Sequence, residues 1–188
     1  MVSNGEEDKP NRPDLNSMKS NVFKTIIGKR DRRVYDPDLE ADGDILDEIL
    51  QAGRMAGSSK NEQPVRSIVL KDPALKSGIA DCADYGLHVP ESPIVIVLVR
   101  APGSRPFDAG RVAQNMMLAA KARGIDSCPV GIQHDDCARL LLKFPEDWVV
   151  AMALTFGYPN ADADALARTG DDRIALGSWV KWNTWSED

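Results

Sequence analysis

The sequence predicts an α/β layered fold, and three observations carry that prediction. Apolar patterns of strand and helix length alternate along the chain, two-residue hairpin signals are absent, and Ile94 to Val99 is an unbroken apolar run rich in β-branched residues. Such a run reads as a strand buried on both faces, as in a sheet packed between layers.

The elements follow in order. Val22, Phe23, Ile26 and Ile27 recur at helical spacing, with Ser20 or Asn21 as cap and Gly28 as stop. Asp36-Pro37-Asp38 reads as a turn, and a second helix starts near Asp44 with Ile45, Leu46, Ile49, Leu50 and Gly53 on one side. The next strand is Arg66 to Leu70, stopped by Asp72-Pro73; a short helix from about Ala74 to Tyr85 then leads to Ser92-Pro93. After the Ile94 to Val99 strand comes the longest helix, Asp108 to Arg123, with Gly124 at its C′ position. Its side chains are mostly small or flexible, among them Ala109, Ala113, Met116, Met117 and Ala120. Close packing on both sides suits either a central core helix or a helix at a subunit interface. Ile125 to Gly131 follows, then a helix from about Asp135 to Leu142 and a strand from Trp148 to Phe156. Gly157-Tyr158-Pro159 ends the sheet, and the last thirty or so residues carry few periodic signals beyond Ile174-Ala175-Leu176 and three tryptophans.

A length of 188 residues fits one domain with a sizeable core. Met1 to about Ser20 is polar and charged, and reads as a disordered tail preceding a single domain over 21–188. The tail lacks the apolar core of a secretory signal, no run is long enough to cross a bilayer, and a cytoplasmic protein is expected. The formal net charge of −6 argues against a general nucleic-acid binder and obliges any anionic ligand to find a local basic cluster. Cys82, Cys128 and Cys137 are an odd number without CxxC spacing, which fits reduced thiols better than a disulfide framework. His88 and His134 share no ligand spacing with a cysteine, so no metal site is expected. No nucleophile elbow, Walker loop or Gly-x-Gly-x-x-Gly follows a strand.

Two segments carry candidate chemistry. Ala56 to Pro64 contains Ser58, Ser59, Asn61 and Gln63 at a helix-to-strand junction, where neutral donors and acceptors suit the edge of a heteroaromatic ring; an ordinary polar connection has the same composition. Lys29, Arg30, Arg32 and Arg33 surround Asp31 just beyond a helix. Arginine can chelate a phosphate bidentately, but a solvated charge run or pairing with Asp36 and Asp38 would look the same.

Taken in order, these segments resemble the FMN-dependent nitroreductases. The resemblance rests on Lys29-Arg30-Asp31-Arg32-Arg33-Val34-Tyr35, on Gly57 to Pro64, on Asp108-Ala109-Gly110-Arg111-Val112-Ala113-Gln114-Asn115 with the helix that follows, and on Phe156-Gly157-Tyr158-Pro159. It covers roughly Asn21 to Trp182. It implies a central mixed sheet flanked by helices, with the long helix at a homodimer interface. It also implies that Lys29, Arg30 and Arg33 hold the FMN phosphate and ribityl chain, with Asp31 in place of a frequent serine. Ser58, Ser59 and Asn61 match a loop that reaches the flavin of the partner subunit, Pro129, Val130 and Gly131 match the backbone beside the reactive ring edge, and Arg173 matches a terminal basic residue at the phosphate. Several positions depart from the pattern. Val65 stands where tryptophan is common, Ile174 where a second basic residue is common, and the interval from Lys71 to Ser92 is short and offers no evident cation for the flavin pyrimidine.

The implied activity is ping-pong hydride transfer from NADH or NADPH, through FMN, to a small-molecule acceptor such as a nitroaromatic or quinone. The cofactor carries that chemistry, so no side chain is nominated as a catalytic acid or base. Cys128, beside the ring-edge segment, reads as a small packed residue rather than a redox thiol. Two alternatives stay open: an enzyme of the same fold that fragments flavin, dehalogenates or uses a deazaflavin, and a non-catalytic flavin-binding module.

Overall fold

The computed structural model describes residues 22–39, 43–160 and 173–185, so the expected N-terminal tail lies outside the described residues. Its elements are α1 (Val22–Gly28), α2 (Gly43–Arg54), a 3-10 turn (Ser59–Asn61), β1 (Val65–Leu70), α3 (Pro73–Asp81), β2 (Ile94–Arg100), α4 (Pro106–Ala122), β3 (Asp126–Val130), α5 (Asp135–Leu142), β4 (Val149–Gly157) and α6 (Leu176–Trp179).

The four strands lie in the order β1-β2-β4-β3, and every pairing between them is antiparallel. Among the described residues, the parallel component of the expected mixed sheet is confined to a single bridge, Asp31 with Ser127, on the outer side of β3. β2 explains the layering. Ile94, Ile96 and Leu98 pack in one core cluster with Ile45 and Ile49 of α2 and Ala113, Met116 and Ala120 of α4. Val95, Val97 and Val99 pack in the other, with Ile79 of α3 and Ala138 of α5. Period-two alternation with both faces covered gives the unbroken apolar run its meaning. Each such aliphatic side chain contributes about 1.5–3 kcal/mol of gross burial free energy.

Local sequence sets most element ends. α4 starts at Pro106, two residues before the expected Asp108, because proline is preorganised for the first helical turn. It stops before Gly124, whose φ of +77° is the left-handed C′ conformation that favours glycine. Gly53 lets α2 approach α4: a Cβ there would lie 2.4 Å from Met116 Cε. Pro129 is tolerated in β3 because β3 is an edge of the four-stranded sheet.

Two expectations need correction. α3 ends at Asp81 rather than near Tyr85, because the chain turns back on the helix end. Gly86 sits so close that a Cβ would meet the Ala80 carbonyl oxygen at 2.5 Å. The cysteines are not three reduced thiols: Cys82 and Cys137 form a disulfide with Cα atoms 5.6 Å apart, leaving Cys128 as a buried free thiol. The pairing arises because α3 and α5 pack side by side on one face of the sheet. Among the described residues no helix is long and apolar enough to cross a membrane.

Candidate functional site

The basic segment after α1 is bound to the edge of the sheet. Arg32 N–H donates to Ser127 O at 3.1 Å, and Arg32 Nε lies 2.9 Å from Asp126 Oδ2. The Asp126 carboxylate is 2 % exposed and also receives Lys121 Nζ at 2.8 Å. Arg32 is therefore committed to fixing the segment to the sheet edge. Lys29 pairs with Asp31, and Arg30 Nη1 donates to Ile27 O at 2.6 Å and to Lys29 O at 2.8 Å, capping carbonyls at the end of α1. Arg33 is exposed, and its guanidinium interacts with both Cys128 and His88. Burial pushes the Cys128 thiol up, with Arg33 acting in the opposite sense. Burial, and then Arg33, lower the His88 imidazole below its ordinary value. These features place Lys29, Arg30, Asp31 and Arg33 beside the strand that carries Pro129 and Val130, with Gly131 directly after it.

Tyr35 locks the far end of the segment. Its ring is 7 % exposed, and its hydroxyl lies 2.7 Å from Thr155 Oγ1 and donates to Arg32 O at 2.8 Å. Burial raises the phenol far above its ordinary range, so it stays protonated. The ring occupies the space over Gly157, where a Cβ would lie 2.6 Å from Tyr35 Cγ. Gly157 thus does more than end a strand: it makes room for the side chain that anchors Arg32. The sequence marked both residues without showing that they touch.

The second candidate loop lies elsewhere in the chain. Ser58 Oγ accepts from Gln63 N at 2.8 Å and closes the turn, while Ser59 and Asn61 are exposed. Lys60, Asn61 and Gln63 all have positive φ (48°, 57° and 49°), a concentration of left-handed non-glycine residues that marks a constrained loop. The loop borders a cavity of about 400 Å³ whose walls include Leu50, Val65, Arg66, Asp108 and Val112. None of the basic segment and none of Pro129 to Gly131 lines this cavity. The structure therefore unites the two candidate groups beside β3 and leaves Ser58, Ser59 and Asn61 apart from them within one chain. Arg173 is exposed, and no described contact joins it to the basic segment.

Sequence reasoning did not single out His88 as a site residue; it belongs to the interval from Lys71 to Ser92, which reads as short and without an evident cation for the flavin pyrimidine. Its Nε2 and the Oγ of Ser127 are buried without a hydrogen-bond partner among the described residues. Both belong to this region, since Ser127 pairs with Asp31 and His88 interacts with Arg33. No local pattern reveals either, because both contacts are made by segments distant in sequence. Among the described residues no cluster of His, Cys, Asp and Glu is arranged to hold a metal.

Comparison with known proteins gives a consistent result. Residues 88–158 match the model of the nitroreductase family. The chain is 31 % identical over 171 residues to a provisionally named NADH dehydrogenase/NAD(P)H nitroreductase of Archaeoglobus fulgidus, covering 84 % of this chain and 98 % of that one. It is 41 % identical over 190 aligned positions to an NADH dehydrogenase of Thermus thermophilus, covering 80 % and 92 %. In three dimensions it resembles the NADPH:FMN oxidoreductase of Vibrio harveyi solved with NAD+, with a TM-score of 0.80, 22 % identity, and coverage of 89 % and 79 %.

Proposed function

Because this chain belongs to the nitroreductase family, we propose that it is an FMN-dependent NAD(P)H:acceptor oxidoreductase whose cofactor lies against the basic segment beside β3. One observation carries the reading. The Arg32–Asp126 ion pair and the Arg32–Ser127 backbone bond hold Lys29, Arg30 and Arg33 alongside Ser127 to Val130. That arrangement concentrates cations in a chain of net charge −6 and sets them next to backbone that can line a planar ring. The partnerless His88 Nε2 and Ser127 Oγ in the same region add neutral polar capacity that suits a polar, phosphate-bearing ligand. The name of the Vibrio harveyi relative, an NADPH:FMN oxidoreductase, agrees with this ligand pair.

FMN, when bound, supplies the hydride chemistry that links NADH or NADPH to a quinone or nitroaromatic acceptor. The chain's residues bind and orient. Arg33 and Lys29 grip the phosphate and ribityl chain, Lys29 exchanging its Asp31 partner for the ligand. Asp31 then accepts from a ribityl hydroxyl, and Arg30 contributes charge while holding the end of α1. Pro129, Val130 and Gly131 present backbone to the ring edge, and Arg173 completes the phosphate site. Ser58, Ser59 and Asn61 serve the cofactor of a second copy, which makes the enzyme a homodimer with two composite sites. We place it in the cytoplasm, as one domain over 21–188.

The test is purification without added flavin, followed by visible absorbance and mass analysis of any released chromophore. The expected result is a yellow dimer that releases FMN, with Arg33→Ala and Arg30→Ala losing flavin on desalting. Full flavin occupancy in both variants would show the phosphate assignment to be wrong.

A further inference from the structure

The Cys82–Cys137 disulfide lies within a set of contacts that all join the same two short segments. His134 N–H donates to Cys82 O at 3.1 Å, Asp84 N–H donates to Gln133 Oε1 at 2.9 Å, and His134 Nε2 lies 3.4 Å from Asp84 Oδ1. Residues 82–84 are thereby tied to residues 133–137, only a few positions after Gly131. Beyond Asp84 the chain folds against the end of α3 through Gly86, and Val89 N–H closes the turn on Gly86 O at 2.9 Å. This turn presents Tyr85 (78 % exposed) and Leu87 (94 % exposed) to solvent. Two large apolar side chains on one short turn beside the Gly131–Gln133 segment make an apolar lip.

Without the disulfide, the tie consists of two backbone-donated hydrogen bonds, an exposed His–Asp contact, which holds weakly in water, and the apolar cluster that Cys82 and Ala83 share with Ala138 and Leu141. The covalent link is the strong member, and it is open to exchange. Cys82 is fully buried, but Cys137 is exposed on α5. In a reducing cytoplasm a disulfide is more often transient and redox-sensing than permanent.

We propose that Cys82–Cys137 is a redox-operated tether that holds the Tyr85–Leu87 turn as a lip for planar aromatic acceptors beside Gly131–Gln133. The inference rests on the functional reading above for the acceptor, but the tether itself does not. In the oxidised state the lip is fixed. In the reduced state it loosens, and affinity for flat acceptors falls. The switching step is thiol–disulfide exchange with a dithiol. A dithiol thiolate attacks Cys137 Sγ and the S–S bond breaks. Cys82 leaves as a thiolate and takes a proton. The second dithiol sulfur then displaces Cys137 as the second thiol, so two electrons pass to the protein and the dithiol becomes a cyclic disulfide.

The experiment compares full-length protein purified without reductant, the same protein treated with dithiothreitol, and Cys137→Ser. Thiols titrated in denaturant should number one before reduction and three after it, since Cys128 is the remaining cysteine. Amide hydrogen exchange read by mass spectrometry should quicken roughly tenfold or more at 83–89 and 131–134 in the reduced protein and in Cys137→Ser, with β2 and β4 unchanged. With flavin bound, KM for a naphthoquinone should rise roughly 3–10-fold, while ferricyanide turnover stays the same. Three thiols before reduction, or equal exchange in all three samples, would overturn the tether. Localised exchange with an unchanged quinone KM would overturn the lip. A colourless protein would refute the flavin reading and the lip's role together, and the exchange pattern would still decide the tether.

Discussion

Replacing Gly157 with alanine tests the coupling between the end of the sheet and the basic segment. By backbone propensity alone the change should help, since glycine in a strand costs roughly 0.5–1 kcal/mol relative to alanine. The structure predicts the opposite sign. A Cβ at 157 would stand 2.6, 2.7 and 2.9 Å from Tyr35 Cγ, Cβ and Cδ1, so the ring has to move. It is poorly placed to do so, being buried with its hydroxyl engaged by Thr155 and Arg32 O. Overpacking costs roughly 1–3 kcal/mol, and a displaced hydroxyl adds about 1 kcal/mol. The expected loss is therefore roughly 2–4 kcal/mol, or a fall in Tm of about 5–15 °C for a chain of this size. Thermal melts followed by tryptophan fluorescence measure it, and a double-mutant cycle assigns the cause. In a Tyr35→Gly background, which removes the Cβ at 2.7 Å as well as the ring, the obstacle is gone, so Gly157→Ala should be neutral or stabilising. An equal loss in both backgrounds, or no loss in the wild type, would refute the argument.

Two further predictions concern the same edge of the sheet. Asp126→Ala removes the common partner of Arg32 and Lys121; because those cations are 21 % and 30 % exposed and can turn to water, the expected cost is about 2–3 kcal/mol, below the value for a fully buried pair, read by urea denaturation with weaker flavin retention on desalting. An unaltered urea midpoint would show that the ion pairs contribute nothing. His88 has a folded pKa depressed below 6.5, so it contributes stability that is fully present above pH 6.5 and lost as pH falls through the lower folded value. Wild type should therefore lose stability relative to His88→Gln between pH 7.5 and pH 5, and a constant difference across that range would contradict the assignment.

What the sequence made legible was whatever rests on local pattern. The β2 run, the α1 and α2 stripes and Gly124 each carry their signal within a few residues, and each element appears close to its expected place. The basic segment and the Pro129 to Gly131 segment were legible as motifs, and their junction through Arg32 and Ser127 was not. Arg32 looked like one cation among several because only Asp126, more than ninety positions away, distinguishes it. The disulfide was hidden for the same reason. Its cysteines are 55 residues apart, and only the packing of α3 against α5 brings them together. Odd cysteine count and spacing report on frameworks within a short segment, and they are silent about a pair made by tertiary packing.

The strand order β1-β2-β4-β3 also bears on how the chain is made. β4 is inserted between β2 and β3, so an inner edge of each waits for the last strand to be synthesised. β2 can pair with β1 early, yet its apolar run keeps one row of backbone donors and acceptors open until β4 is complete, 57 residues after β2 ends. At a synthesis rate of roughly 5–20 residues per second that interval lasts about 3–11 s. Throughout it the nascent chain carries an uncovered hydrophobic strand edge, the feature that recruits other chains. Truncation before Val149, or ribosomal pausing between β3 and β4, should therefore yield aggregates or chaperone-bound chains rather than a smaller soluble fold.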